Sequence, residues 1–403
     1  MRRLTRYLLW AFVFTVPWDN FPLPIVGSVS RVFGLALVGV ALLTIVMQGR
    51  FRRPDGVLVL SIAFSVWGTL SLLWTISYET TVVAAITLAQ FVASVWVIRE
   101  FVRTREEIQP LLGATCLGLF VPLVSIFNNF RLGISINRYE SRFTGSGFNA
   151  DQAGLYLVLG LPIAWHLIMH RRGILRVAGV IYFVAAPVGL MLTATRGAVV
   201  AGVVACSIIP LTLPRQSLRT YALVGAMLIL GAVSATAIVP RANLQRILGI
   251  TDEVMGGGNM SGRTDIWSAG SQAFVQRPLI GAGLGASGAA IEPFLRKRLP
   301  AHNLTLGLLV EVGIVGLGLF AGLITACAWT IYRSPPPHRA LWGVILLTWL
   351  VAGLSGSPEA VKFTWVLFGL VAAQSGVART VRTVSRVKTT NRPAAESLHP
   401  LPI

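Results

Sequence analysis

Three side chains in the second half of the chain have the types that an anion-binding, proton-transferring site needs: Arg196, Arg263 and His302. Arg196 stands in Thr193-Ala-Thr-Arg-Gly-Ala198, where one apolar block ends and the next begins with almost no loop. An arginine at the edge of a hydrocarbon layer is expensive and is a functional candidate by default, although its stem can also snorkel to the headgroups. Gly197 is read as the residue that lets the chain reverse there. Arg263 lies in Gly262-Arg-Thr-Asp-Ile-Trp267. A guanidinium makes planar, bidentate contacts to phosphate; a local pair with Asp265 is the plainer reading. His302 precedes Asn303 and a long apolar run, at the mouth of an expected helix. Backbone N–H groups there favour anions, and a neutral imidazole can take a proton from a hydroxyl at physiological pH. The other histidines, His166, His170, His338 and His399, fall at or beyond the opposite ends of the apolar blocks.

Further candidates are Asn303, Glu311, Trp267 and Arg142. Glu311 follows His302 by nine residues, which on an ideal helix is the opposite face and about 13 Å along. It is read as a buried structural group bonded to a neighbouring helix rather than as an orienting partner of His302. Gly283-Leu-Gly-Ala-Ser-Gly288 matches GxGxxG, but a dinucleotide site needs a preceding strand and a βαβ unit. A turn that brings backbone close to a helix or a lipid headgroup fits better. Asp252 and Glu253 are adjacent but lack acidic or histidine partners for a metal site. Cys116, Cys206 and Cys327 all sit in apolar blocks and read as small hydrophobes.

The elements that must position these groups are membrane helices. The sequence is 54% hydrophobic and 12% charged, against about 25% charged in soluble domains. Its apolar residues fall in blocks of about twenty, the length that crosses a bilayer core. They do not alternate in polarity as barrel strands do. The expectation is an all-α polytopic membrane protein with about twelve spans, at 4–17, 32–47, 56–74, 81–98, 108–127, 150–169, 174–195, 197–211, 218–239, 303–332, 339–355 and 361–378. Met1–Trp18 lacks a small-residue cleavage site and continues into further spans, so no cleavable leader is expected. Arginines such as Arg2, Arg3, Arg50, Arg99, Arg171, Arg215, Arg333 and Arg379 crowd short loops on one side, which puts both termini in the cytoplasm. The net charge of +19 thus follows topology, not a nucleic-acid face. On the other side, loop 128–149 holds Arg131, Arg138, Glu140 and Arg142. Loop 240–302 carries seven basic residues against the bias. Residues 265–274 are expected to form a short amphipathic helix against the membrane surface, after a hinge at Gly256–Gly258. Residues 1–388 read as one transmembrane domain with loop 240–302 inserted, and 389–403 as a disordered cytoplasmic tail.

Four stretches together carry a family resemblance: TRGA at a span junction (195–198), GRxxxW (262–267), PLxGxGxG (278–285) and HNxxLxxLxExGxxGLxxF (302–320). They resemble the O-antigen ligase / polysaccharide polymerase superfamily, bacterial membrane glycosyltransferases of the GT-C type, from Gly145 to about Phe320. The resemblance implies a glycan donor on undecaprenyl diphosphate, with Arg196 and Arg263 holding the diphosphate and His302 activating the acceptor hydroxyl. It implies inversion at the anomeric carbon, no metal or other cofactor, and an active site on the periplasmic face of the inner membrane. The acceptor would be lipid A-core for a ligase or a growing glycan for a polymerase; the modest outer loop leans to the ligase. Many members carry Asn-Pro-Asn before the sixth span, where this chain departs with Phe148-Asn-Ala-Asp151. A lipid-linked glycan flippase or transporter is the reading from another class. The sequence shows no repeated halves of the kind transporters often carry. A non-catalytic assembly partner is a third.

Overall fold

The computed structural model describes residues 2–18, 22–23, 27–49, 51–136, 141–145, 147–212, 218–249 and 262–374. The Gly256–Gly258 hinge, the Asp252–Glu253 pair, Arg138, Glu140, Arg215 and the tail 389–403 lie outside them. Among the described residues the only strands are a two-residue pair, Pro22–Leu23 with Gly27–Ser28. The remaining regular structure is helical.

In chain order the helices are α1 (Arg2–Thr15), α2 (Val29–Gln48), α3 (Gly56–Leu70), α4 (Tyr78–Phe101), α5 (Arg105–Arg131), α6 (Ala150–His170), α7 (Ile174–Thr193), α8 (Arg196–Ile208), α9 (Leu218–Ile238) and α10 (Arg241–Leu248). There follow α11 (Arg263–Gln276), α12 (Ser287–Leu295), α13 (Leu304–Tyr332), α14 (Pro336–Gly353) and α15 (Lys362–Gln374). Each of the twelve expected spans holds a helix. Among the described residues seven are long and apolar enough to cross a bilayer, or eight if the pair α9–α10, bent by 120°, counts as one span. The molecule is an all-α polytopic membrane protein.

Burial sorts these helices. The apolar window of α6 is 89% buried and that of α2 only 22%. A helix that is apolar all round and enclosed by protein is a central one, so α6 is the axis and α2 faces hydrocarbon. Local signals start the helices at both ends of the bundle. Asp55 caps α3 by accepting from Leu58 N–H at 3.0 Å, and Thr104 with Glu107 forms a capping box on α5. Asn149 caps α6 and Asn303 caps α13, accepting from Gln152 N–H at 2.7 Å and Leu306 N–H at 2.9 Å.

The long helix α13 is broken. Gly313 has φ 68° and ψ −170°, so carbonyls before it and N–H groups after it lose their helical partners. The segment Pro278–Gly283 supplies replacements. Ala282 and Gly283 N–H donate to the Val310 and Glu311 carbonyls, both at 2.8 Å, and Ile314 N–H donates to Pro278 at 2.9 Å. Trp67 Nε1 takes the Val312 carbonyl at 2.9 Å. Such a fit needs bare backbone: a Cβ on Gly281 would stand 2.4 Å from the Glu311 carbonyl carbon, and one on Gly313 2.3 Å from the Leu279 oxygen. The GxGxxG-like stretch is thus part of a backbone splint against a helix.

Two expectations need correcting. The amphipathic face of α11 packs on protein: Ile266 and Ala269 meet Ile291 and Ala301, and Gly270 lies against Leu306. The chain reversal before α8 is made by Ala194, at φ 48°, and not by Gly197. Gly197 instead admits Ser355, whose Oγ occupies the space its Cβ would need.

Candidate functional site

The starts of three helices, α6, α8 and α13, open toward one end of the bundle around a cavity of about 250 Å³, and the start of α11 stands beside it. Asn149, Asp151 and Gln152 come from the start of α6, Thr195 and Ala198 from the start of α8, and His302 from the residue before the α13 cap. The loop from Ser355 to Val361 closes the remaining side. Arg263 opens α11 and reaches the same carboxylate as His302. Each helix start offers N–H groups and the positive end of a dipole.

Asp151 is the centre of the cluster. Its Oδ2 lies 3.5 Å from Arg263 Nη2 and 3.6 Å from His302 Nδ1, and its Oδ1 lies 4.0 Å from Arg142 Nη2. The second position of α6, in its first turn, suits a carboxylate, because the helix dipole favours negative charge there. Arg142 is held from behind by its Nε, which donates to the Thr193 carbonyl at 3.1 Å. Arg263 and His302, expected to work together, are brought together; what joins them is a residue the motifs passed over. Sequence reasoning noted Asn149 and Asp151 only as a departure from a family pattern. The usable signal was local: a capping asparagine, then an acid in the first helical turn, both facing loops rich in arginine.

His302 sits one residue outside its helix. Asn303 is the cap of α13, and His302 has φ 48°, a left-handed conformation uncommon for a residue with a side chain. The expectation that His302 itself opens the helix is therefore corrected by one position. Its backbone is strained and its imidazole is aimed into the cavity, a combination often met at functional sites. Burial lowers the His302 pKa below its ordinary value; Asp151 pulls it back up and Arg263 pushes it down. The ring is thus neutral near pH 7. With Nδ1 toward Asp151, Nε2 is the nitrogen left to accept a proton.

Arg196 stands beside the cluster rather than in it. Its neighbours Thr195 and Ala198 line the cavity, while its Nε donates to the Arg246 carbonyl on α10 at 2.8 Å. Thr195 ties α8 to α6 through Oγ1 and the Ala150 carbonyl at 3.0 Å. The remaining candidates support the frame. Trp267 Nε1 donates to the Ala301 carbonyl at 3.1 Å, fixing the residue before His302. Asn303 Nδ2 donates to the Leu354 carbonyl at 3.0 Å, tying α13 to the cavity loop. Glu311 Oε2 accepts from Gly285 N–H at 2.8 Å and from Ser287, at the start of α12. It is bonded to a neighbouring helix and makes no contact with His302. Arg277 and Arg298 staple the long loop to residues 74–77 through the Trp74 carbonyl and Ser77 Oγ, at 2.8 and 3.1 Å.

Among the described residues no group of three or more His, Cys, Asp or Glu is placed to hold a metal ion. The arrangement can bind an anion at Arg142, Arg263 and the helix starts, and can accept a proton at His302. Comparison with curated proteins gives no match. Residues 180–321 match the family model described as O-antigen ligase. That stretch holds Arg196, Arg263, His302 and the splinted break in α13, so over these residues the chain is similar to the O-antigen ligase / polysaccharide polymerase superfamily.

Proposed function

We propose that the protein transfers a glycan from undecaprenyl diphosphate to an acceptor hydroxyl, as an O-antigen ligase, with lipid A-core as the acceptor. The observation that carries the reading is the convergence of Arg263, His302 and Asp151 at a cavity rimmed by helix N-termini. The acceptor oxygen attacks the anomeric carbon and its proton passes to His302 Nε2. The bond from that carbon to the diphosphate breaks, and its electron pair stays on the leaving phosphate oxygen. Arg263 and the N–H groups at the helix starts stabilise the charge that grows there; one such donor is typically worth about 10²–10³ in rate. Asp151 orients the imidazole and stabilises its protonated form, and its long contacts shorten when substrate closes the site. Arg142 and Arg196 extend the positive field that draws in the lipid diphosphate. Attack opposite the diphosphate inverts the anomeric centre.

In this reading the chain crosses the bacterial inner membrane twelve times, with both termini in the cytoplasm and the cavity on the periplasmic face. A polymerase would use the same groups on a growing lipid-linked glycan. The test is transfer in a host without its own ligase, with lipopolysaccharide resolved on a gel. Polymer joined to core by wild type, and not by His302→Ala, supports ligation. Longer lipid-linked chains without attachment would mean a polymerase. No change in either would favour a flippase or another acceptor.

A further inference from the structure

The two walls of the reaction cavity are built differently. One carries charge: Asp151 and His302 line it, and Arg263 and Arg142 reach the same carboxylate. The other is the loop between α14 and α15, whose lining residues from Ser355 to Val361 include no charged side chain. Glu359, the one acid of that loop, is not among the residues that line the cavity. Its Oε1 stands 4.0 Å from the place a Cβ on Gly307 of α13 would take, and burial holds its carboxyl well above the usual carboxylate range.

The backbone of this loop is tied down from the protein side. Thr364 Oγ1 donates to the Pro358 carbonyl at 2.6 Å and Trp365 Nε1 to the Glu359 carbonyl at 2.8 Å. Asn303 Nδ2 holds the Leu354 carbonyl at 3.0 Å, so the residue after His302 fixes the residue before Ser355. The hydroxyls of Ser355 and Ser357 are left out of this bracing. Ser357 precedes the short turn Pro358–Ala360 without capping it, and neither hydroxyl bonds another side chain or carbonyl among the described residues. Both serines line the cavity, and Gly197 at the start of α8 makes room for Ser355 Oγ.

A diphosphate needs cations, which the charged wall has and the loop lacks. A sugar is a neutral polyol, and a serine hydroxyl can both donate to and accept from its hydroxyls. The loop is also the wall that Asn303 locks in register with the imidazole that takes the proton. We infer, taking the glycan transfer proposed above as given, that Ser355 and Ser357 form the acceptor subsite, exchanging hydrogen bonds with the sugar hydroxyls that flank the attacking one. The donor's diphosphate is held at the opposite wall.

The test reads binding without turnover, by isothermal titration calorimetry on the full-length protein in detergent. The probes are dephosphorylated core oligosaccharide freed of lipid A, undecaprenyl diphosphate without sugar, and the lipid-linked repeat unit. Ser355→Ala and Ser357→Ala are each expected to weaken core oligosaccharide about fivefold, the loss of one hydrogen bond, and to leave the affinity for undecaprenyl diphosphate where it was. Gly356 lines the cavity between them, and a Cβ there would meet only the Ala352 carbonyl oxygen, at 3.4 Å. Gly356→Leu is therefore expected to fold, to block the core oligosaccharide and to spare undecaprenyl diphosphate. Unchanged core binding in Gly356→Leu, equal losses for core and undecaprenyl diphosphate, or losses confined to the lipid-linked repeat unit would each overturn the inference; the last would put the donor's sugar at the loop. The gel assay reports separately on the reaction. Polymer left unattached by wild type counts against ligation, whereas attachment by wild type with unaltered core affinity in all three variants counts against the loop.

Discussion

Arginines and carboxylates meet at both ends of this molecule, and they meet differently. At the end where α3 begins and α4 stops, Arg99 Nε lies 2.8 Å from Asp55 Oδ2, with Arg99 3% and Glu100 1% exposed. Arg52 N–H donates to Glu100 at 3.2 Å, Arg103 adds a further contact at 3.4 Å, and Arg52 and Arg99 also donate to the carbonyls of Arg99 and Arg53. The cluster at the cavity has the same chemical groups, but its contacts are 3.5–4.0 Å and its members 18–34% exposed. The first network is nearly closed: short contacts and backbone carbonyls take up most of the buried charge, as burial demands, and leave Arg99 Nη1, 3.9 Å from Glu100 Oε2, without a hydrogen bond. The second is open, and its groups line or flank a cavity. Where arginines staple helices they are used up by the fold; where they flank the cavity the fold holds them near one another and stops short of full pairing.

The comparison breaks most visibly if the two clusters respond alike to mutation. His302→Ala should reduce glycan transfer by about 10²–10⁴ while leaving the Tm in detergent where it was. A lower Tm together with lost transfer would mean that the open cluster is structural too. Arg99→Leu should do the reverse. It leaves Glu100 and Asp55 without their shared cation, at a cost of about 3–5 kcal/mol. Thermal unfolding should show a large drop, with transfer per folded molecule unchanged. An unaltered Tm would mean that the closed network contributes nothing.

The fold was legible because bilayer crossing leaves a coarse signature. Blocks of apolar residues located a helix in all twelve places, from α1 to α15. Burial was not legible: α2 is the more apolar run and α6 the less, and only packing makes α6 central and α2 lipid-facing. At the site, His302 and Arg263 could be chosen from residue type and position. Asp151 could not, because it becomes the hub only when α6 and α11 meet across more than a hundred residues of sequence. Arg142 was reached as a lesser candidate for the same reason. The glycines of 281–285 announced close backbone approach but not the partner, since a break at Gly313 depends on the loop that mends it. That splint gives a smaller prediction. Gly281→Ala puts a Cβ where the Glu311 backbone is, in a left-handed conformation worth about 1–3 kcal/mol of strain. The Tm should fall by several degrees and transfer with it, because the α13 start carries His302. Neutral behaviour would show that the loop can leave the break.

The finest distinction between the clusters is how their charges tune one another. Burial sets the His302 pKa below its ordinary value, and its two charged neighbours act in opposite senses, Arg263 downward and Asp151 upward. If His302 must be neutral to accept a proton, transfer should fall as pH drops through that lowered pKa. Arg263→Gln removes a downward influence, so the acid limb should move to higher pH. Asp151→Asn removes an upward influence, so the limb should move to lower pH, even though both substitutions reduce the maximal rate. The sign separates electrostatic coupling from general damage, because a loosened site would move both limbs the same way. The measurement is kcat/KM against pH for the three proteins, with His302→Ala as the variant expected to lose the limb. Opposite shifts would show that Asp151 and Arg263 act on the imidazole through charge. Matching shifts would reduce Asp151 to one more staple, and the two ends of the molecule would then differ only in how tightly they are fastened.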